Sequence, residues 1–235
     1  MKSFRAGPLL VRAAGGIDRD GGGDGPAVLL CHGFGAPGDD LVSLARAVSA
    51  PANTRWFFPE APLDAGVGPG SRAWWQIDMA RLQLMMMRGE RRPTNEIPAG
   101  MEDARATLEA CVDALVEHHG VSPERLVLGG FSQGAMITTE LTLYGARRYA
   151  GLAVLSGTLL CHDRWALRSD RLRDLVIVQS HGRSDPILGF AEAEMLRDFL
   201  VTGGAKHTFL PFPGQHAIPP AALAGLEKLL ADTLG

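Results

Sequence analysis

The sequence has little cysteine, little net charge and no long apolar run. Its three cysteines are too few and too scattered for a disulfide framework and form no C-x-x-C pair, which favours a reducing compartment and predicts a cytoplasmic protein. The formal net charge of -3 gives no reason to expect nucleic acid or an anionic membrane as a partner. No stretch approaches the roughly 20 apolar residues that span a bilayer, so we expect no stable membrane insertion.

The sequence also lacks the signs of a metal site and of several domains. No spacing among the seven histidines and three cysteines resembles a metal site. With 235 residues and no internal repeat, the chain suits one domain over residues 1–235. Short apolar runs alternate with helical spacings, which predicts an α/β fold with a mostly parallel central sheet and helices on both faces. The predicted strands lie near residues 9–11, 26–31, 55–58, 125–129, 152–155, 175–178 and 206–212, and the predicted helices near 41–48, 101–119, 135–141, 191–201 and 219–234.

The most informative motif is the G-x-S-x-G pattern Gly130-Phe131-Ser132-Gln133-Gly134. An apolar run precedes it, and residues with helical spacing follow it. A strand that turns sharply into a helix exposes a serine hydroxyl on a tight bend. The context therefore predicts that Ser132 is a nucleophile. The alternative is a glycine-rich connection that carries a solvated serine.

A serine nucleophile needs a base that a third group orients. Asp185 lies in a loop after the apolar run 175–178, and His216 follows the predicted last strand. Binding and chemistry in open α/β sheets collect at the carboxyl ends of strands. The order serine, acid, histidine is the one expected of strand-turn-helix hydrolases. Ser132, Asp185 and His216 are the predicted catalytic residues.

Other residues compete for these roles. His207 falls inside the predicted last strand and His181 is a neighbour of Asp185 on one loop, so both are weaker candidates for the base. Asp163 follows a strand and is a possible substitute for the acid, whereas Asp174 precedes its strand and lies at the wrong end. Three further histidines carry no such signal: His118, His119 and His162.

Acyl transfer also needs donors for the oxyanion. The backbone N–H of Gln133, directly after the serine, is one predicted donor. The second is the N–H of Phe34, in a His-Gly-Phe-Gly loop that follows the apolar run 26–31. His32 is predicted to brace this loop through hydrogen bonds. The alternative is that the loop is an ordinary connection between a strand and a helix.

Together these residues resemble the α/β-hydrolase superfamily and, within it, the phospholipase/carboxylesterase family. The resemblance runs from about Ala27 to the C-terminus and rests on the segments 30–35, 130–135 and 181–186, with Trp74-Trp75-Gln76-Ile77-Asp78 as a fourth piece. It implies a triad of Ser132, His216 and Asp185 that hydrolyses carboxylic esters or thioesters without a cofactor. Carboxylesterase, lysophospholipase and thioesterase activities all fit. Gln215 departs from the family pattern, in which a glycine directly precedes the histidine.

The stretch between the oxyanion loop and the long helix is the predicted substrate-binding part. Trp74, Trp75, Met86 and Met87 are its candidate pocket residues, and residues 79–98 are a candidate lid or pocket segment. Ordinary core packing is the alternative. The same triad would serve a peptidase or lactonase, and a non-catalytic binding protein with this fold is a further alternative. The sequence leaves the oligomeric state and the acyl group open.

Overall fold

The computed structural model describes residues 1–90 and 93–235, and at Met86 the backbone only. The strands, in chain order, are β1 (Lys2–Ala6), β2 (Leu9–Gly16), β3 (Asp20–Gly22), β4 (Ala27–Cys31), β5 (Arg55–Pro59), β6 (Leu63–Asp64), β7 (Arg72–Ala73), β8 (Leu126–Phe131), β9 (Gly151–Leu155), β10 (Val176–Gly182) and β11 (Lys206–Phe212). The helices are α1 (Leu44–Ala47), α2 (Met79–Met87), α3 (Met101–His119), α4 (Gln133–Tyr144), α5 (His162–Ala166), α6 (Phe190–Thr202) and α7 (Pro220–Leu234).

One twisted sheet organises the described residues. Its strands are ordered β1-β2-β5-β4-β8-β9-β10-β11, and β3 pairs with β2. From β5 to β11 every neighbouring pair in that order is parallel, whereas β2 pairs antiparallel with both β1 and β5. The prediction of a mostly parallel sheet is confirmed. Because parallel neighbours point the same way, the loops after β4, β8, β9, β10 and β11 emerge at one edge.

The helices cover both faces of the sheet, as the alternating apolar pattern requires. In β4, Leu29 and Cys31 pack into the core cluster that contains residues of α3 and α4. Val28 and Leu30, one residue out of phase, pack into the cluster that contains residues of α7. Successive side chains of a strand point to opposite faces. A fully apolar strand is therefore the pattern expected when neither face meets water.

Several predicted boundaries differ from the structure. The helix predicted near 41–48 is a single turn, α1, preceded by turns. The stretch 60–98, predicted to be irregular, contains α2 and the two-stranded sheet of β6 and β7. The first residue of α2 follows Asp78, whose Oδ1 accepts a 2.8 Å hydrogen bond from the Arg81 N–H. This is an N-cap. The sequence did not predict the helix, because glycines and prolines on both sides of it, within positions 62–70 and 89–98, marked the whole stretch as irregular. Within the described residues, no helix combines the length and the hydropathy needed to cross a membrane.

Candidate active site

Ser132 lies between β8 and α4 on a strained turn. Its φ of 56° and ψ of -119° are far from the regions that non-glycine residues favour. A Cβ on Gly134 would lie 1.9 Å from the carbonyl oxygen of Cys31, and one on Gly130 would lie 2.6 Å from the same oxygen. The glycines of the motif are thus required because β4 passes directly against the turn. The Ser132 N–H donates to the Leu155 carbonyl at 2.9 Å, which anchors the turn to β9.

Asp185 and His216, from the loops after β10 and β11, form a hydrogen-bonded pair. His216 Nδ1 and Asp185 Oδ2 are 2.6 Å apart, and Asp185 Oδ1 accepts the N–H groups of Ile187 and Leu188 at 2.9 Å each. Burial opposes ionisation of Asp185, but these hydrogen bonds outweigh it and leave its pKa below the usual value. An ionised carboxylate only accepts hydrogen bonds, so Nδ1 of His216 carries the proton and Nε2 has a free lone pair.

Backbone hydrogen bonds hold the two loops together. The Arg183 N–H donates to the carbonyl of Phe212, and the Ser184 N–H donates to that of Gly214, both at 2.9 Å. These bonds continue the parallel pairing of β10 with β11 beyond the strand ends. The sheet itself therefore brings the loop of the acid next to the loop of the base.

His216 lies beside the turn that carries the serine. Its ring centroid is 4.6 Å from that of Phe131, the residue before the nucleophile. The next residue, Ala217, accepts a 3.2 Å hydrogen bond from the hydroxyl of Ser156, which directly follows β9. The structure thus brings the three predicted catalytic residues to the same edge of the sheet, with Ser156 as a link that the sequence did not indicate.

The two predicted oxyanion donors have free backbone N–H groups. Across residues 1–90 and 93–235, neither the Phe34 nor the Gln133 N–H meets a hydrogen-bond acceptor. The loop after β4 closely approaches the turn that carries the serine: a Cβ added to Gly33 would lie 3.3 Å from the Cβ of Ser132. Two unused donors beside a nucleophile are what an oxyanion hole requires.

His32 braces this loop, as the sequence predicted. Its Nδ1 is 2.8 Å from the Gly33 carbonyl, and its Nε2 accepts the Ala61 N–H at 3.1 Å. A carbonyl can only accept, so the proton resides on Nδ1 and both ring nitrogens are occupied. Burial lowers the pKa of His32, which keeps the ring neutral. A neutral ring with no free lone pair cannot serve as the base.

The competing histidines have other partners. His181 is completely buried, and its Nε2 donates to the Leu188 carbonyl at 2.8 Å and lies 3.4 Å from Asp185 Oδ2, so it contacts the acid but is closed off from solvent. His207 is on β11, with its Nε2 2.9 Å from Gln179 Oε1. The remaining three lie away from the serine turn: His118 and His119 at the end of α3, and His162 at the start of α5.

The competing acids are exposed ion-pair partners on the surface. Asp163 pairs with His162 Nδ1 at 3.1 Å, and Asp174 lies 3.9 Å from Lys206 Nζ. Both carboxylates are mostly exposed to solvent. Neither has the amide donors that hold Asp185, so Asp185 is the acid that this arrangement favours.

The predicted pocket residues divide into two groups. Trp74 and Trp75 are buried, and Trp75 lines a cavity of ≈ 120 Å³ together with Leu82, Met85 and Leu160. Met87 is 85% exposed and does not line this cavity. The side chain of Met86 lies outside the described part of the chain. Met85 belongs to the same methionine run of the predicted pocket stretch, and Leu82 lies three residues before it on one face of α2. Leu82 is the contact that the sequence did not indicate, because the helix was not predicted.

An ion pair spans the edge of this cavity. Arg81 Nη1 and Nη2 donate to the two carboxylate oxygens of Glu96 at 2.9 and 3.0 Å. Both residues line the cavity and both are about half exposed. The bidentate pair joins α2 to the segment that leads into α3.

Comparisons with known proteins agree with this architecture. The model of the phospholipase/carboxylesterase family matches residues 19–234. Acyl-protein thioesterase 1 of Kluyveromyces lactis is 31% identical over 171 residues, covering 68% of this chain and 70% of that protein. A probable carboxylesterase of Oryza sativa subsp. japonica is 28% identical over 214 residues, covering 88% of this chain and 77% of that protein.

Solved structures share the fold. The crystal structure of esterase PE8 superposes with a TM-score of 0.78 at 23% identity, and the superposition covers 95% of this chain and 100% of that chain. A carboxylesterase from Mesorhizobium loti gives a TM-score of 0.73 at 18% identity, with 98% of each chain covered. The expectation of an α/β-hydrolase fold is confirmed.

Proposed function

Because the chain belongs to the phospholipase/carboxylesterase family, whose members hydrolyse carboxylic esters and thioesters, we propose that Ser132, His216 and Asp185 carry out this hydrolysis through an acyl-enzyme intermediate. The observation that carries the proposal is the Asp185–His216 hydrogen bond of 2.6 Å beside the strained turn of Ser132. It orients a histidine with a free Nε2 next to a serine that backbone geometry exposes.

In the first half of the reaction His216 Nε2 takes the proton of Ser132 as its Oγ attacks the acyl carbonyl. The imidazolium that forms is stabilised by the carboxylate of Asp185. The N–H groups of Phe34 and Gln133 donate to the oxyanion. His216 then gives the proton to the departing alcohol or thiol, and an ester between Ser132 and the acyl group remains.

The second half repeats the chemistry with water. His216 removes a proton from a water molecule, which attacks the acyl-serine carbonyl. The same two N–H groups hold the second oxyanion. On its collapse His216 gives the proton to the departing Ser132 Oγ, which restores the hydroxyl and releases the carboxylic acid. No step requires a metal or a cofactor.

Labelling with a fluorophosphonate probe tests the catalytic residues. We expect the wild type to be labelled and to hydrolyse p-nitrophenyl esters, and Ser132→Ala to lose labelling and about 10⁶-fold in kcat. Substitution of Ser156, the other serine at a strand end of this edge, by Ala serves as the matched control and should retain the label. Label that persists on Ser132→Ala would mean that another serine is the nucleophile. An unlabelled and inactive wild type would contradict the hydrolase.

The cavity beside Trp75 is the proposed acyl-binding site, and residues 79–98 are proposed to wall it. The walls of the cavity include Trp75, which follows β7, and Leu160, in the loop after β9. The last residue of β9, Leu155, accepts the hydrogen bond from the Ser132 N–H. An apolar cavity of about 150 Å³ accommodates benzene in another protein. At ≈ 120 Å³ this cavity favours an acyl chain of only a few carbons.

A thioesterase is the second candidate function. It is favoured by the Kluyveromyces lactis relative, which is an acyl-protein thioesterase. The triad would serve either leaving group, so matched acyl thioester and p-nitrophenyl ester substrates separate the two. A higher kcat/KM for the thioester would favour this candidate.

The cellular setting is also a proposal. All three cysteines are buried free thiols, as expected of a chain that works in the reducing cytoplasm. We propose small acyl esters or thioesters as the partners of the protein and no nucleic acid, in keeping with its small net charge. A single domain over residues 1–235 remains a prediction.

A further inference from the structure

The side chain of Gln133 has a place that the reaction steps do not explain. This residue follows the nucleophile and is completely buried. Its Oε1 accepts the backbone N–H of Trp74 at 2.9 Å, and its Nε2 donates to the carbonyl of Trp75 at 2.8 Å. A buried amide is costly unless it is hydrogen-bonded. Here both ends of the amide bind one short piece of backbone.

That piece belongs to residues 72–75, which we call the strap. The strap also binds the loop of the proposed oxyanion hole. The Gly35 N–H donates to the Arg72 carbonyl at 2.9 Å, and the Arg72 N–H donates to the Ala36 carbonyl at 3.1 Å. In addition, the indole N–H of Trp74 donates to the His32 carbonyl at 3.0 Å. The strap therefore joins the oxyanion loop to the residue that follows the nucleophile.

From these contacts we infer that the Gln133 side chain is a positioning residue that sets, through the strap, the spacing of the two oxyanion donors. This inference rests on the proposed function. One donor, the N–H of Phe34, belongs to the loop after β4, and the other, the N–H of Gln133, begins α4. The strap fixes the distance between these two donors, because the Gln133 side chain forms hydrogen bonds with Trp74 and Trp75 while the oxyanion loop forms hydrogen bonds with Arg72 and Trp74.

The residue type matches this role. The strap offers Gln133 one N–H and one C=O, and a glutamine side chain supplies one acceptor and one donor. Glutamate could accept from Trp74 but would place a carboxylate against the Trp75 carbonyl, and methionine would make neither hydrogen bond. A misplacement of about 1 Å in a catalytic group can cost roughly 10²-fold in rate. The effect should fall on the transition state, because only there does the oxyanion carry full charge.

Gln133→Met tests the inference, because it keeps the length of the side chain and removes both hydrogen bonds. We expect kcat on a short p-nitrophenyl ester to fall about 10- to 10²-fold, with KM changed by less than about threefold. Affinity for a trifluoromethyl ketone, whose serine adduct places an oxyanion in the hole, should fall by the same factor as kcat/KM.

Gln179→Met is the matched control. Gln179 lies in the middle of β10 and is also completely buried. Its Nε2 donates to the Ala193 carbonyl at 2.8 Å, and its Oε1 is 2.9 Å from Nε2 of His207. This variant loses the same kind of hydrogen bonds away from the strap. It should lower Tm but leave kcat and trifluoromethyl ketone affinity within about twofold of the wild type.

Trp74→Phe provides a second test that does not depend on the folding of Gln133→Met. It removes the hydrogen bond to the His32 carbonyl together with part of the ring, and it leaves both hydrogen bonds of Gln133 in place. It should therefore lower kcat and trifluoromethyl ketone affinity in parallel but by less. The double variant should be little worse than Gln133→Met, since both act through one strap. Equal kinetic losses in the Gln133 and Gln179 variants, or unchanged trifluoromethyl ketone affinity, would overturn the inference and leave the hydrolase standing. A wild type that neither hydrolyses esters nor binds the ketone would overturn both.

Discussion

The loops that carry the proposed catalytic residues and the segment proposed to wall the cavity are built in different ways. The loops at residues 130–134, 182–186 and 213–217 are held by backbone hydrogen bonds and by glycines that leave no room for a side chain. The wall segment, residues 79–98, is held partly by side chains, such as the exposed Arg81–Glu96 pair. It also exposes apolar side chains, among them Leu84 and Met87.

This difference separates chemistry from substrate selection. The turns at Gly130, Gly134 and Gly182 tolerate almost no substitution, because the nearest atoms to an added Cβ are main chain of a packed structure. Contacts made by exposed side chains contribute less to stability and can be exchanged one at a time. We therefore expect substitutions in the first region to affect folding and turnover together, and substitutions in the second to affect the choice of acyl group.

The largest effect should follow from Gly134→Ala. The new Cβ would lie 1.9 Å from the carbonyl oxygen of Cys31, in the backbone of β4. We expect a loss of about 3 kcal/mol or more in the free energy of unfolding, and a Tm lower by roughly 10 °C. Activity should fall as well, because the Ser132 turn must move. Thermal unfolding followed by circular dichroism measures the change.

Gly66→Ala, in the loop between β6 and β7, is the control for this prediction. Gly66 has a φ of +70° and no atom within 4 Å of an added Cβ, so only backbone strain opposes alanine. We expect a cost of about 1 kcal/mol and unchanged turnover. If both variants lost the same stability, close packing against β4 would not be what distinguishes the serine turn.

An intermediate effect is expected from Met85→Ala. Met85 lines the cavity, and its truncation enlarges the space for an acyl chain. The ratio of kcat/KM for a hexanoate ester to that for an acetate ester should rise about tenfold. Met87→Ala removes an equal volume from a side chain that is 85% exposed and should leave the ratio unchanged. Identical chain-length profiles for the two variants would contradict the assignment of the cavity as the acyl site.

The smallest effect concerns His207, a histidine of the same sheet with no role in the reaction. Burial and the charge of Arg197 lower its pKa to about 4. In the unfolded chain a histidine has a pKa of about 6.5, so the unfolded state binds more protons as pH falls from about 6.5 to about 4. Stability is therefore complete above pH 6.5 and decreases over that range.

His207→Gln should remove this pH dependence. Urea denaturation at pH 7 and pH 5 should show a difference in unfolding free energy that is smaller than in the wild type by about 1 kcal/mol, after allowance for solvent screening. Its kcat at pH 7 should match the wild type. A variant that loses as much stability between pH 7 and pH 5 as the wild type would show that His207 binds its proton equally in both states.

The parts of the fold that sequence reasoning recovers best have strong local signals. The helix Met101–His119 matches its predicted bounds, because one apolar face is continuous and Gly120 follows it. The strand Lys206–Phe212 also matches its predicted bounds. By contrast, α2 was missed because the glycines and prolines that precede and follow it, within positions 62–70 and 89–98, are typical of loops. The antiparallel strand β1 carries no continuous apolar run, since most of its side chains are exposed.

What the sequence alone determined was the chemistry: a serine in a G-x-S-x-G turn, an acid and a histidine in order after predicted strands, and a glycine-containing loop for the oxyanion. Chain order and strand ends are local properties, and parallel strands bring their carboxyl ends to one edge. Only the tertiary structure decided which side chains meet across that edge. It placed Met85 in the cavity and Met87 in solvent, and it joined Gln133 to the strap. Such contacts bring together residues about 60 positions apart, and no local pattern in the sequence encodes a distance between them.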